Sequence, residues 1–164
     1  MKKQKGFTLI EILIYSALLG IFLGGVVILV GNIFASTDTT LARSEVLTNQ
    51  EFIERKLQWL TGQATDIISP VPGSASTQLE LSEPVPGIHP AIFSLDATTD
   101  QLLLSLGGGT PLSLTNNRVE VIDFIVEHFV QDGSLSTIRI SLGLQSALYH
   151  HIISTTTLIY ALPY

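Results

Sequence analysis

From Phe7 to Val30 the chain runs 24 residues with one charged side chain, Glu11. As helix that run would measure about 36 Å, enough to cross a hydrocarbon core about 30 Å thick with some tilt. One membrane crossing is the expectation, and it constrains everything that follows. A carboxylate at bilayer depth costs about 2.5–3.5 kcal/mol on insertion scales, so a Glu without a cation on its own segment marks a functional contact.

The sequence before the run shows where a cation can come from. Met1-Lys2-Lys3-Gln4-Lys5-Gly6 is short and basic. A cut after Gly6 would make Phe7 a new α-amine, with Glu11 four residues on, one helical turn from any such amine. The leader, the aromatic Phe7 and Glu11 as fifth residue of the shortened chain resemble the class III signal of type IV prepilins and pseudopilins. That resemblance covers Lys5 to about Val30. It implies that a prepilin peptidase cuts between Gly6 and Phe7 and methylates the new amine. Glu11 would then set register against the amine of an adjacent subunit, with Thr8 donating a hydrogen bond at the same site. Three other readings fit less well. A secretory signal needs a small-residue cleavage site after its apolar core, and Leu29-Val30-Gly31-Asn32 is a poor one. A lipoprotein leader needs a cysteine, which the chain lacks. An ordinary anchor has no reason to bury Glu11.

Once the leader lysines are set aside, five basic side chains (Arg43, Arg55, Lys56, Arg118, Arg139) face fourteen acidic ones. So acidic a body does not attract nucleic acid through its mean field. A local patch would be needed, and Arg55-Lys56 is the clustered pair. The basic leader places the N-terminus in the cytoplasm and the rest outside. An exported domain without cysteine has no disulfide, so its stability must come from packing on its own helix.

Gly20, Gly24, Gly25 and Gly31 lie in or beside the apolar run. Gly20-x-x-x-Gly24 has the spacing that lets helices approach closely, although glycine is frequent in membrane helices in any case. No proline occurs between Phe7 and Ser69, where many related pilins carry a helix-breaking one. Ser36-Thr37-Asp38-Thr39-Thr40 has poor helix propensity. Leu41, Val46, Phe52, Ile53, Leu57 and Leu60 then recur at near-helical spacing, and Glu51 precedes Arg55 by four. A second, amphipathic helical half is expected. Thr61-Gly62 and Ser69-Pro70-Val71-Pro72-Gly73 end it and open a linker.

Beyond Gln78 the pattern alternates as in strands. Ala91–Leu95 and Gln101–Leu106 flank a turn at Asp96–Asp100, and Gly107-Gly108-Gly109 reads as a flexible turn. Arg118–Val130 and Leu135–Leu144 form a hairpin through Asp132-Gly133-Ser134, and Ile153–Leu162 adds a last strand. A three-residue loop there sets Gln131 opposite Leu135, Val126 opposite Ile140, Phe124 opposite Leu142 and Glu127 opposite Arg139. Ile122, Phe124 and Val126 would share one face. The side bearing Ile138, Ile140 and Leu142 would face helix residues 46–60, with Arg139 turned away.

The fold class expected is α+β, a long N-terminal helix packed on a C-terminal antiparallel sheet. Its divisions are a leader (1–6), a membrane and filament-core helix (7–30), an amphipathic half (31–69) and a sheet domain (70–164). The layout resembles minor pilins and minor pseudopilins more than major ones.

Candidate chemistry is sparse, and no catalytic residue, cofactor or metal is expected. His150 and His151 as strand neighbours would point to opposite faces and could not readily share an ion, so a surface or loop role is assigned. His128 reads as partly buried and hydrogen-bonded, and His89 before Pro90 as solvated. Asp96 and Asp100 suggest turn formation before calcium binding. Trp59 reads as core against the sheet.

The expected role is a structural filament subunit. Its expected partners are prepilin peptidase, other pilin or pseudopilin subunits, a membrane assembly platform and the lipid bilayer. It would be a single-pass cytoplasmic membrane protein with its globular domain outside, then part of an extracellular or periplasmic filament. The alternative is a tip-located adhesin-like or DNA-capturing subunit. A third reading, a membrane-anchored exported enzyme, would need a deep pocket with converging His and Asp.

Overall fold

The computed structural model describes residues 8–131 and 135–162. One helix, α1, spans Leu9–Thr61. The chain divides into two compact units, one ending at Thr40 and one beginning at Leu41.

The helix continues through Ser36–Thr40 despite poor propensity, with its threonine hydroxyls satisfied on the helix's own carbonyls. The hydroxyls of Thr37, Thr39 and Thr40 donate back to the carbonyls of Ile33 (2.9 Å), Ser36 (3.0 Å) and Ser36 (2.8 Å). Their donors are thereby used inside the helix instead of competing with it from outside. At the other end the Thr61 hydroxyl donates to the Leu57 carbonyl at 2.7 Å, and the N–H groups of Gly62 and Ala64 cap the last turn by donating to the Gln58 and Leu60 carbonyls, each at 3.0 Å. The expected amphipathic half, 31–69, is therefore cut short. The helix stops at Thr61, and Asp66–Ser69 form a strand, β1, paired with Gln78–Ser82.

The expected sheet is two antiparallel sheets. One has the order β1-β3-β4-β5-β6, with β3 Gln78–Ser82, β4 Ala91–Asp96, β5 Gln101–Leu106 and β6 Leu112–Ser113. The other has the order β2-β7-β8-β9, with β2 Ala75–Ser76, β7 Val119–Gln131, β8 Leu135–Ser146 and β9 Ile153–Leu162. Sequence reasoning missed β1, β2 and β6, the shortest strands, which are too short to show alternation. The two sheets and the helix share one core. Val46, Ile53, Leu57 and Leu60 of the helix join Leu79, Leu81, Phe93 and Leu102 of the first sheet and Phe124, Val126, Ile138, Ile140 and Leu142 of the second.

The β7–β8 register is the one expected. Gln131 stands opposite Leu135, Glu127 opposite Arg139, Val126 opposite Ile140 and Phe124 opposite Leu142. The loop residues 132–134 lie outside the described residues. Arg139 turns outward and reaches Glu127 at 3.2 Å, while Ile138, Ile140 and Leu142 are buried.

One member of the expected face is displaced. Ile122 is exposed while Val121 and Phe124 are buried, because a bulge between Val121 and Asp123 inserts one residue and flips the alternation on either side of it. Gly143 stands opposite. A Cβ there would come within 3.0 Å of Ile122 Cγ1 and 3.1 Å of Asp123 Cβ, so the bulge and the glycine fit each other.

The Gly107 turn is docked and not loose. Its N–H donates to the carbonyls of Ile88 and Pro90, both at 3.0 Å. At φ 60° a Cβ would stand 2.4 Å from the Gly87 carbonyl oxygen, which leaves no room for any other residue.

Candidate functional site

The helix begins with a reciprocal cap. Thr8 is the last residue before α1, and Glu11 lies in its first turn. Glu11 Oε2 accepts from both the Thr8 N–H and the Thr8 hydroxyl, each at 3.0 Å, and the Glu11 N–H donates to Thr8 Oγ1 at 3.4 Å. This is the T-x-x-E capping box. It satisfies two backbone donors that a helix start would otherwise leave open, and places a carboxylate at the positive end of the helix dipole. The pattern Thr8-Leu9-Ile10-Glu11 is the sequence signature of this box, a local use of Glu11 that the expected amine contact did not include. Oε1 takes no part in the box. Gly6 and Phe7, the expected cleavage pair, lie outside the described residues.

From Leu9 to Phe34 the large apolar side chains are exposed on every side of the helix, with Leu9 at 79% and Phe22 at 67%. A helix apolar all round is one whose cover is supplied by its surroundings. By length and composition α1 can cross a membrane. Gly20, Gly24 and Gly31 fall along one face at helical spacing, and nothing lies within 4 Å of the Cβ position at any of them. The Gly24 and Gly31 backbones are thus open to close approach from outside.

In the second unit, two expectations about the helix are corrected. Trp59 is 43% exposed and Phe52 40% exposed, and Leu41 also lies outside the core. Residues 46, 53, 57 and 60 set the buried stripe, and 41, 52 and 59 fall about a third of a turn away from it. Lys56 Nζ lies over both aromatic rings, 5.8 Å from Phe52 and 5.4 Å from Trp59. Arg55 completes this shallow surface depression.

The histidines have structural explanations. His128 is buried, its Nδ1 2.7 Å from the Pro70 carbonyl and its Nε2 bonded to Ser136 Oγ. It ties β7 to the segment that precedes β2. His150 and His151 lie exposed in the turn between β8 and β9, and not in a strand. His150 sits 3.9 Å from Glu120, and His151 meets the Tyr149 ring edge-on. His89 is exposed. Among the described residues no three His, Cys, Asp or Glu side chains cluster as a metal site.

The carboxylate of Asp96 is committed to its turn. Oδ1 accepts from Thr98 N–H at 2.9 Å and Oδ2 from the Thr99 hydroxyl at 2.7 Å, and these bonds hold its pKa below the usual value. Asp100 takes the left-handed conformation, φ 51°, and its carbonyl accepts from Val121 N–H. Burial raises the pKa of Glu83, with the nearby His89 charge pulling the other way. Both Glu83 carboxylate oxygens are buried without a hydrogen-bond partner.

Residues 1–27 match a family model described as "Prokaryotic N-terminal methylation motif". No curated protein matches the chain, and no solved structure does.

Proposed function

We propose that this chain, which carries a type IV pilin-like prepilin signal, is a structural subunit of a pilus-like or secretion-pseudopilus-like filament. Prepilin peptidase would cut between Gly6 and Phe7 and methylate Phe7, and assembly would proceed through the N-terminal helix with other pilin or pseudopilin subunits and a membrane platform. The observation that carries this reading is the capped start of α1 below an apolar surface exposed all round. In the bilayer that surface meets lipid; in a filament it would meet the same surface of neighbouring subunits. Both environments reward the same burial.

The capping box sharpens the proposed role of Glu11. Thr8 fixes one carboxylate oxygen and leaves Oε1 to receive the Phe7 amine of an adjacent subunit. Desolvation of the carboxylate is compensated only when subunits are correctly staggered, which converts a cost into specificity. The globular unit lies outside the membrane on this reading, and the strand layout supports a minor subunit.

The test is Glu11→Ala, with mass analysis of the N-terminus alongside. The wild-type chain processed by an active peptidase should begin at Phe7 with one added methyl. Glu11→Ala should insert in the membrane as well or better while the ratio of sheared surface protein to membrane pool falls sharply. An unchanged ratio would remove Glu11 from assembly, and an intact Met1 terminus would remove the processing.

A second reading, a tip-located adhesin-like or DNA-capturing subunit, draws on the exposed Phe52, Arg55, Lys56 and Trp59. Binding of single-stranded DNA or of an external surface that is lost in Trp59→Ala and Lys56→Glu would favour it.

A further inference from the structure

β9 ends the order β2-β7-β8-β9, so among the described residues one side of it has no neighbouring strand. Two bonds at its start fix which residues face that side. The Ser146 N–H donates to the Ile152 carbonyl at 3.1 Å, and the next amide, Ala147, donates the other way, to Arg118, at 2.9 Å. Even-numbered residues of β8 thus turn their backbone groups toward β9. By the register that pairs Leu144 with Ser154 and Ser136 with Leu162, even residues of β9 answer them. The odd residues Ile153, Thr155, Thr157, Ile159 and Ala161 direct N–H and C=O away from the sheet, and they are also the ones with exposed side chains.

Natural sheets guard such an edge with lysine, proline, a bulge or a cover. Ile153–Leu162 contains no charged residue, no proline and no glycine. Its pairing with β8 runs without a register shift.

We propose that β9 pairs edge to edge with β9 of a second copy of this chain, antiparallel, about a two-fold axis through Thr157. The register centred there sets Ile153 against Ala161, Thr155 against Ile159 and Thr157 against itself. It uses all five outward residues, and shifting the centre by one residue strands one of them. No like charges meet. The length also selects the occupant. The other strands that end the sheets, β1, β2 and β6, have four, two and two residues. The outer side of β7 is already bridged by β2 and by the Val121–Asp100 bond. Within this chain, the described edge that matches β9 in length is β9 itself.

The absence of cysteine from the chain makes the test clean. The full chain carrying Thr157→Cys, in membranes under mild oxidation, should form a disulfide-linked dimer, since its two Cα atoms would lie about 5.5 Å apart. Ile153→Cys alone should not, because its copies would lie about 27 Å apart. Ile153→Cys co-expressed with Ala161→Cys should cross-link to each other. Thr157→Pro removes an outward N–H that β8 does not use, and Thr157→Lys keeps it while placing two ammonium groups at the axis. Both should lose the dimer of the full chain in detergent, read by sedimentation. Three results would overturn the pairing: Thr157→Cys cross-linking no better than Ile153→Cys, an adduct with a different protein instead, or a dimer that survives both Thr157 variants. Glu11→Ala should leave the Thr157→Cys dimer unchanged, so this contact and the N-terminal one fail independently.

Discussion

The two units treat the same residue types in opposite ways. In the first, Leu, Ile, Val and Phe from residue 9 to 34 stand exposed on every side of one helix. In the second, Ile53, Leu57, Phe93, Phe124, Ile138 and Leu142 are sealed in a core shared by helix and sheets. Hydrophobicity alone does not separate them. What differs is periodicity, because an unbroken run gives no direction to fold in, whereas spacings of three to four or of two define a face that a neighbouring element can cover. The first unit is therefore built for surroundings outside its own fold, and the second closes on itself.

Substitutions of opposite kind should separate the two. Phe124→Ala, in the core of the second unit, should cost about 3–5 kcal/mol through the lost burial and the cavity left behind. Thermal melting of the purified chain should show the loss, with membrane insertion unchanged. Insertion falling in parallel would mean that the units are not separate.

The reverse change is Leu18→Arg, which places a charge near the middle of the apolar run and should cost about 2.5–3.5 kcal/mol of insertion. The fraction of chain recovered in membranes measures it. Circular dichroism of the soluble remainder should keep its strand signal.

Glu83 is where the second unit departs from its own rule, as a buried carboxylate without partners. Glu83→Met should stabilise the unit at pH 7 by about 1–3 kcal/mol, the cost of an unsatisfied buried group. Since folding raises this pKa, the folded state holds the proton more tightly. Its contribution to stability is greatest below the unfolded pKa and is lost as pH rises through the folded one. Denaturant midpoints from pH 4 to 8 should fall less with pH in Glu83→Met than in wild type.

The smallest effect is at the outward ion pair. Glu127→Ala should cost no more than about 1 kcal/mol, because the Glu127–Arg139 pair is exposed. A larger loss in melting would mean that the pair holds register and does not merely decorate it.

Much of this was legible in the chain. The β7–β8 register followed from requiring that apolar and charged cross-strand pairs agree, and β9 was found with its observed ends. The T-x-x-E box at Thr8 and Glu11 was present in four consecutive residues, but the expectation for them was an assembly contact and the local cap came from the structure. The short strands β1, β2 and β6 were not legible, since two to four residues carry no period. Nor was the Ile122 bulge, which uncouples side-chain direction from sequence parity.

By itself the sequence determined the apolar run, the single carboxylate within it, the charge excess of the body and the alternation of its strands, because these depend on residue type and local spacing. Only the tertiary structure decided which of two neighbouring stripes on the helix would be buried. Phe52 and Trp59 compete with Ile53 and Leu57 on hydrophobicity alone, and the choice falls to the face whose side chains join the core shared with the two sheets. The same packing turned the Gly107 segment from a loose loop into a docked one, and among the described residues it leaves the outer edge of β9 without a neighbouring strand. Both outcomes depend on where distant segments come to rest, which no local spacing encodes.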